Sequence, residues 1–132
     1  MRSFAVMMKA PAARILVIDD EPLVVDMLVT RLREEGYGVI GAETSDEGLK
    51  LAILSRPKLV LLDIALPEMN GIELLKRIRS INPTIRVIMV TGNTDPGLAR
   101  AALELGALAY VDKPFDFAYL KRVVAMALRE GV

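Results

Sequence analysis

Residues 58–67 read Lys58-Leu59-Val60-Leu61-Leu62-Asp63-Ile64-Ala65-Leu66-Pro67 (KLVLLDIALP). A run of four large aliphatic residues, Leu59 to Leu62, is the length and type of a strand buried on both faces. It ends in an acid, and more aliphatics follow. An ionised carboxylate buried without a partner is costly. Asp63 therefore either emerges at the end of a buried strand or meets a partner supplied from elsewhere in the chain.

Outward from this run the same alternation repeats. On its N-terminal side, Arg14 to Ile18 is strand-like, and Pro22 to Glu35 carries Leu23, Val24, Met27, Leu28 and Leu32 at helical spacing, with Gly36 placed to stop it. Tyr37 to Ala42 is a second strand. Thr44 with Glu47 three residues on is a capping-box signal for a helix to about Ser55, and Pro57 breaks the chain before the central run. On the C-terminal side, Asn70-Gly71 opens a helix to about Ser80. Arg86 to Val90 is a fourth strand, and Asp95-Pro96 is an N-cap and first-turn pair for a helix that Gly106 can end. Leu108 to Val111 is a fifth strand. Asp116 caps the last helix, with Phe115 and Leu120 spaced for a hydrophobic staple. Five strands separated by single helices predict right-handed crossovers and a parallel sheet, a (βα)5 α/β fold.

The chain has 132 residues, enough for one domain with a full core. Residues 14–132 read as that domain. Residues 1–13 (MRSFAVMMKAPAA) read as a flexible leader: the apolar part, Phe4 to Met8, is too short for a secretory signal and Lys9 interrupts it. No apolar run reaches a membrane span, so a cytoplasmic chain with no membrane contact is expected. Lys plus Arg is 17 and Asp plus Glu is 17. The balance argues against a general nucleic-acid binder, and no direct nucleic-acid binding is expected. Both signs are mixed along the chain, so charge points to no partner. The chain has no cysteine and no histidine. Thiol chemistry and the commonest general base are excluded, and any bound metal should be a hard cation on oxygen ligands.

Polar residues fall where the strands end: Asp19-Asp20-Glu21, Asp63, Thr91-Gly92-Asn93 and Asp112-Lys113-Pro114. Open α/β sheets bind ligands outside the carboxyl ends of strands, where strand order reverses. For the order 2-1-3-4-5 that point lies between strands one and three, and Asp19, Asp20 and Asp63 converge at the rim of the core. Two unit charges about 5 Å apart repel by roughly 3 kcal/mol at an effective dielectric near 20. A divalent cation relieves this, and oxygen-only ligands suit Mg²⁺. A metal, Lys113 and the Thr91 hydroxyl around one carboxylate make a phosphoryl-binding arrangement with Asp63 as nucleophile.

The motifs ILVIDDEP, LVLLDIALPEMNGIELL, VIMVTGN and AYVDKPFD, in this order and each at a strand's end, resemble those of response-regulator receiver domains, the CheY-like family. The resemblance runs from about Arg14 to Arg129. The flavodoxin-like sheet order used above comes with the resemblance and not from the residues. The resemblance implies that Asp63 is the phosphoacceptor. It implies that Asp20, Asp63 and the backbone carbonyl of Ala65 ligate Mg²⁺ (or Mn²⁺ in its place), with Asp19 acting through water. Thr91 and Lys113 match the hydroxyl and lysine around the phosphate, and Tyr110 the aromatic that turns inward when Thr91 moves. The Lys113–Pro114 bond is expected to be cis. Ala65 and Asn93 occupy positions that tune phosphate lifetime; alanine orients no water, so an unusually short lifetime is not expected. The implied partner is a sensor histidine kinase or a histidine phosphotransfer protein, which would supply the histidine this chain lacks. The implied output surface, also a possible homodimer face, is the fourth helix, fifth strand and fifth helix. The chain reads as a stand-alone receiver or as the receiver part of a longer regulator.

Blander readings stand beside these. Asp20 or Glu21 alone could serve the first helix dipole, Thr91 a turn in TGNTDP, and Lys113 a solvated loop. Met89 reads as core. The fourth helix, GLARAALELGAL, suits sheet packing and partner binding equally. Among rival functions, an aspartate-nucleophile phosphohydrolase would need an acid where Ala65 stands, and a P-loop sequence is missing. A phosphorylation-independent binding module on the same fold is the alternative function.

Overall fold

The computed structural model describes residues 14–93 and 95–129. The leader, 1–13, and the last three residues lie outside that range. The strands are β1 (Arg14–Ile18), β2 (Gly38–Ala42), β3 (Leu59–Leu62), β4 (Arg86–Thr91) and β5 (Ala109–Asp112). The helices are α1 (Pro22–Glu34), α2 (Ser45–Ser55), α3 (Gly71–Ile81), α4 (Pro96–Glu104) and α5 (Phe117–Arg129). All strand pairs are parallel, in the order β2-β1-β3-β4-β5. The expected fold class and order are what is found.

Alternation along the strands explains why both faces are covered. Leu16, Ile18, Val60, Leu62, Val87 and Met89 point to one face, where Ala52 of α2, Leu74, Leu75 and Ile78 of α3 and Ala102 of α4 pack. Ile15, Val17, Leu59, Leu61, Ile88 and Val90 point to the other, against Leu28 and Leu32 of α1 and Leu120, Val124 and Ala127 of α5. Met89 is fully buried, as a core residue should be.

Where boundaries differ from expectation, helix caps explain it. The second strand begins at Gly38, not Tyr37, because Tyr37 still serves the end of α1: Gly36 sits at φ 98°, and the Gly36 and Tyr37 N–H groups donate to the Arg33 and Leu32 carbonyls. The end of α4 repeats this at Gly106 (φ 105°), whose N–H and that of Ala107 donate to Leu103 and Ala102. The capping box at α2 is also displaced. Thr44 Oγ1 accepts from the Glu47 N–H at 3.1 Å, but Glu47 reaches back to the N–H of Glu43 rather than of Thr44. The fourth strand runs one residue further than expected, to Thr91, and the fifth ends at Asp112, because Thr91 and Asp112 pair across the sheet.

Charge that looks mixed along the chain is sorted in space. All strands point the same way, so their following loops share one end of the molecule. Those loops hold Asp19, Asp20, Glu21, Glu43, Asp63, Glu68, Asp95 and Asp116, and Lys113 is their only cation among the described residues. The opposite end carries Arg14, Arg56, Lys58, Arg79 and Arg86, with Glu35 and Glu104 nearby in the chain. Zero net charge therefore conceals an acidic end and a basic end, and the expectation that charge is uninformative is corrected.

Candidate functional site

Parallel pairing brings the ends of β1, β3, β4 and β5 together. The Asp63 N–H donates to the Ile18 carbonyl, and the Lys113 N–H to the Thr91 carbonyl. The chain just beyond each strand therefore enters one crevice of about 880 Å³, lined among others by Asp20, Asp63, Ala65, Thr91, Asn93 and Lys113. One glycine is required for this. A Cβ on Gly71 would strike the Asp63 carbonyl oxygen and lie 2.7 Å from Ile64 Cα, so the start of α3 can lie against the end of β3 only without a side chain.

Asp63 lines the crevice, yet it is more enclosed than a rim residue: its relative exposure is 4 %, and Asp19 is at 3 %. The partner that the KLVLLDIALP run could not reveal is Lys113. Its Nζ donates to Asp19 Oδ2 at 2.6 Å, Asp63 Oδ2 at 3.2 Å and Glu21 Oε1 at 3.2 Å. The second oxygens are also held. Asp19 Oδ1 accepts from the Glu21 N–H at 2.9 Å, and Asp63 Oδ1 from the Ala65 N–H at 3.2 Å. Burial pushes the Asp19 carboxyl up from its ordinary range, against the lowering by Lys113 and the Glu21 N–H, and the Asp63 charge adds to the rise. For Lys113, burial opposes the charge, but the bonds and charges of Asp19 and then Asp63 prevail and hold the ammonium well above the usual lysine range.

Asp19, Asp20, Glu21 and Asp63 each present a carboxylate oxygen, all within 4.8 Å of one another. Four hard oxygen donors with no nitrogen or sulfur among them fit Mg²⁺ or Mn²⁺, and one lysine leaves their charge incompletely balanced. Asp20 is exposed. Glu21 was not singled out from sequence. A glutamate opening a helix usually reads as dipole compensation, and only the fold shows its contact with Lys113.

Thr91 is buried at 1 % exposure, and its Oγ1 accepts from the Asn93 N–H at 3.2 Å. The turn role proposed as the bland reading is thus present in the structure, at a position that also lines the crevice. Tyr110 is half-buried, and its hydroxyl donates to the Asn93 carbonyl at 2.8 Å. Thr91 and Tyr110 hold the same backbone residue from its two sides. The Lys113–Pro114 peptide bond is cis.

Residues 15–125 match the family described as response regulator receiver domain. The chain is similar to the sporulation initiation phosphotransferase F of Bacillus subtilis, with 37 % identity over 84 % of this chain and 90 % of that protein. It is also similar to the alkaline phosphatase synthesis transcriptional regulatory protein PhoP of the same organism, at 39 % identity over 78 % of this chain and 43 % of that one. It thus spans only part of the transcriptional regulators it matches: 51 % of TcrX of Mycobacterium tuberculosis and 27 % of GlrR of Escherichia coli. Among solved structures, the CheY-like receiver domain protein of Methanospirillum hungatei superposes with a TM-score of 0.83 at 35 % identity, covering 89 % of this chain and 94 % of that one.

Proposed function

The chain belongs to the response regulator receiver domain family, and from that premise we propose that it is a phosphorylation-dependent switch whose acceptor is Asp63. The observation that carries this reading is the triple contact of Lys113 with Asp19, Glu21 and Asp63 beside the Thr91 hydroxyl. An acid, a fixed cation and a hydroxyl in one crevice are the parts that phosphoryl transfer needs.

In this reading an Asp63 carboxylate oxygen attacks the phosphorus of a phosphohistidine on a partner kinase or phosphotransfer protein. The P–N bond breaks, and the imidazole leaves with its electron pair and takes up a proton. Lys113, already at hydrogen-bond distance from Asp63, offsets charge on the phosphoryl oxygens. Asp20, Asp63 and the Ala65 carbonyl would hold Mg²⁺ directly and Asp19 through water; the ion supplies charge neutralisation at the same oxygens. If the Thr91 hydroxyl turns to the phosphoryl group, the Asn93 N–H loses its acceptor. Tyr110, bonded to the other side of Asn93, is then the next side chain to respond. That is the two-state element the phosphoryl group would bias. The readout would be the α4–β5–α5 surface, where Leu103, Leu108, Tyr119 and Met126 are exposed for a partner or a second copy.

The test is intact-protein mass after incubation with acetyl phosphate, with and without Mg²⁺, for the wild type and Asp63→Asn. One phosphoryl adduct that requires both Mg²⁺ and Asp63 is expected. No adduct with acetyl phosphate or with phosphoramidate would favour a phosphorylation-independent binding module on this fold.

A further inference from the structure

At the end of the sheet opposite the acidic crevice, the turns entering β3, β4 and β5 enclose a second cleft of about 890 Å³. Arg56, Lys58, Arg79 and Arg86 line it, and among the described residues no acid does. Among the described residues Arg56, Lys58 and Arg86 form no ion pair, and their side chains donate to no protein acceptor. Arg79 is fixed in place: its Nη1 donates to the Pro83 and Ile85 carbonyls at 2.8 and 2.9 Å, and its guanidinium packs where Gly106 has no side chain. Like charges gathered without counter-charges repel, so their convergence works against the folded state unless an anion joins them.

A second feature points the same way. Arg56 caps α2 in the left-handed conformation, φ 49° and ψ 60°. That position favours glycine or asparagine, because a Cβ there crowds the following carbonyl. An arginine at a strained position, beside Pro57 and lining the cleft, is better explained by what its side chain can bind than by the cap it makes.

We propose that this cleft binds a compact, multiply charged phosphate ester of the nucleoside polyphosphate class. Four cations in one cleft match a ligand with several negative charges close together, and guanidinium groups bind phosphate oxygens in pairs. The volume is that of a small-molecule site, and Pro57, Pro83, Leu108 and Leu128 supply apolar walls for a body beyond the phosphates. The proposal does not depend on phosphorylation of Asp63, which lies beyond the other end of the sheet.

Thermal unfolding in EDTA, which removes divalent metal from the acidic crevice, tests it with tripolyphosphate and with ATP as probes. Tripolyphosphate should raise the melting temperature by roughly 4 °C at about ten times its dissociation constant. ATP should do so at lower concentration if the apolar walls contribute. Arg56→Gly should shift the two readings in opposite directions: it raises the melting temperature of the free protein by relieving the left-handed residue, and it lowers the gain from tripolyphosphate. Lys58→Gln, at an exposed side chain, should lower the gain and leave the free protein nearly unchanged. The proposal is overturned if tripolyphosphate gives no gain, or if both variants keep the full wild-type gain, which would locate the anion elsewhere. A gain from duplex DNA without one from tripolyphosphate would also overturn it, since the cleft would then be a nucleic-acid contact.

Discussion

Lys113 is the side chain on which the crevice depends when no metal is bound. It pairs with two buried carboxylates and touches a third, so replacing it removes the cation and leaves the acids. Breaking a buried pair from one side costs about 3–5 kcal/mol. With the Lys113 side chain 16 % exposed, Lys113→Met should fall near about 3 kcal/mol in urea unfolding without metal. Adding Asp19→Asn to Lys113→Met should recover part of that loss, because one of the uncompensated charges is gone; a double mutant no more stable than the single one would count against this account. Tyr110 offers a second residue-scale prediction. Burial, then the charges of Asp112, Asp95 and Asp63, raise its phenol above the ordinary value of 10.0. The folded chain therefore holds that proton more tightly than the unfolded chain. This contribution is fully present below pH 10.0 and is lost as pH rises through the folded value. Absorbance titration of the wild type against Tyr110→Phe should assign to Tyr110 an ionisation above the ordinary phenol value, and Tyr110→Phe should flatten the fall in stability above that pH.

Elements were legible where their signals are local. Thr44, Asn70, Asp95 and Asp116 each cap the helix their sequence position announces, accepting from a backbone N–H two or three residues on. A cap depends on a few neighbouring residues, so the sequence contains all of its cause. Thr44→Ala should therefore cost about 1 kcal/mol in unfolding free energy. Element ends were less legible, because the residue that leaves a helix also enters a strand. Tyr37 looks β-like by side chain, yet its N–H closes α1. Gly71 shows a different limit: as half of Asn-Gly it reads as turn chemistry, but its contact with the Asp63 backbone exists only once β3 and α3 meet. Gly71→Ala should destabilise the fold by more than the roughly 1 kcal/mol that favours alanine within a helix. It should also weaken acetyl phosphate labelling, because the displaced backbone belongs to Asp63. Unimpaired labelling and a stability gain would refute the close approach.

At the scale of the molecule, what the sequence withheld was arrangement. The apolar strands are too alike for any residue to dictate that β3 rather than β2 neighbours β4, so the order came from family resemblance. Strand order in turn decides which acids meet. Asp19 and Asp63 were recognisable as strand-end acids, but Glu21 joining them on Lys113, and the sorting of charge to two ends, follow from parallel geometry that linear spacing does not record. The proposed metal site exists only in the folded state, since the unfolded chain separates Asp20 from Asp63. Mg²⁺ should therefore stabilise the whole domain, by about 2.7 kcal/mol at one hundred times its dissociation constant. Asp20→Asn separates this from a general salt effect. The Asp20 carboxylate is exposed and lies within the acidic group, so its neutralisation should leave the metal-free protein as stable as the wild type or more so. The same change should reduce the Mg²⁺-linked gain, because Asp20 is a direct ligand in the proposed site. Melting curves at fixed ionic strength, with Mg²⁺ compared against matched NaCl, read both effects. An unchanged melting temperature at millimolar Mg²⁺, or an equal gain in Asp20→Asn, would place the cation outside this crevice.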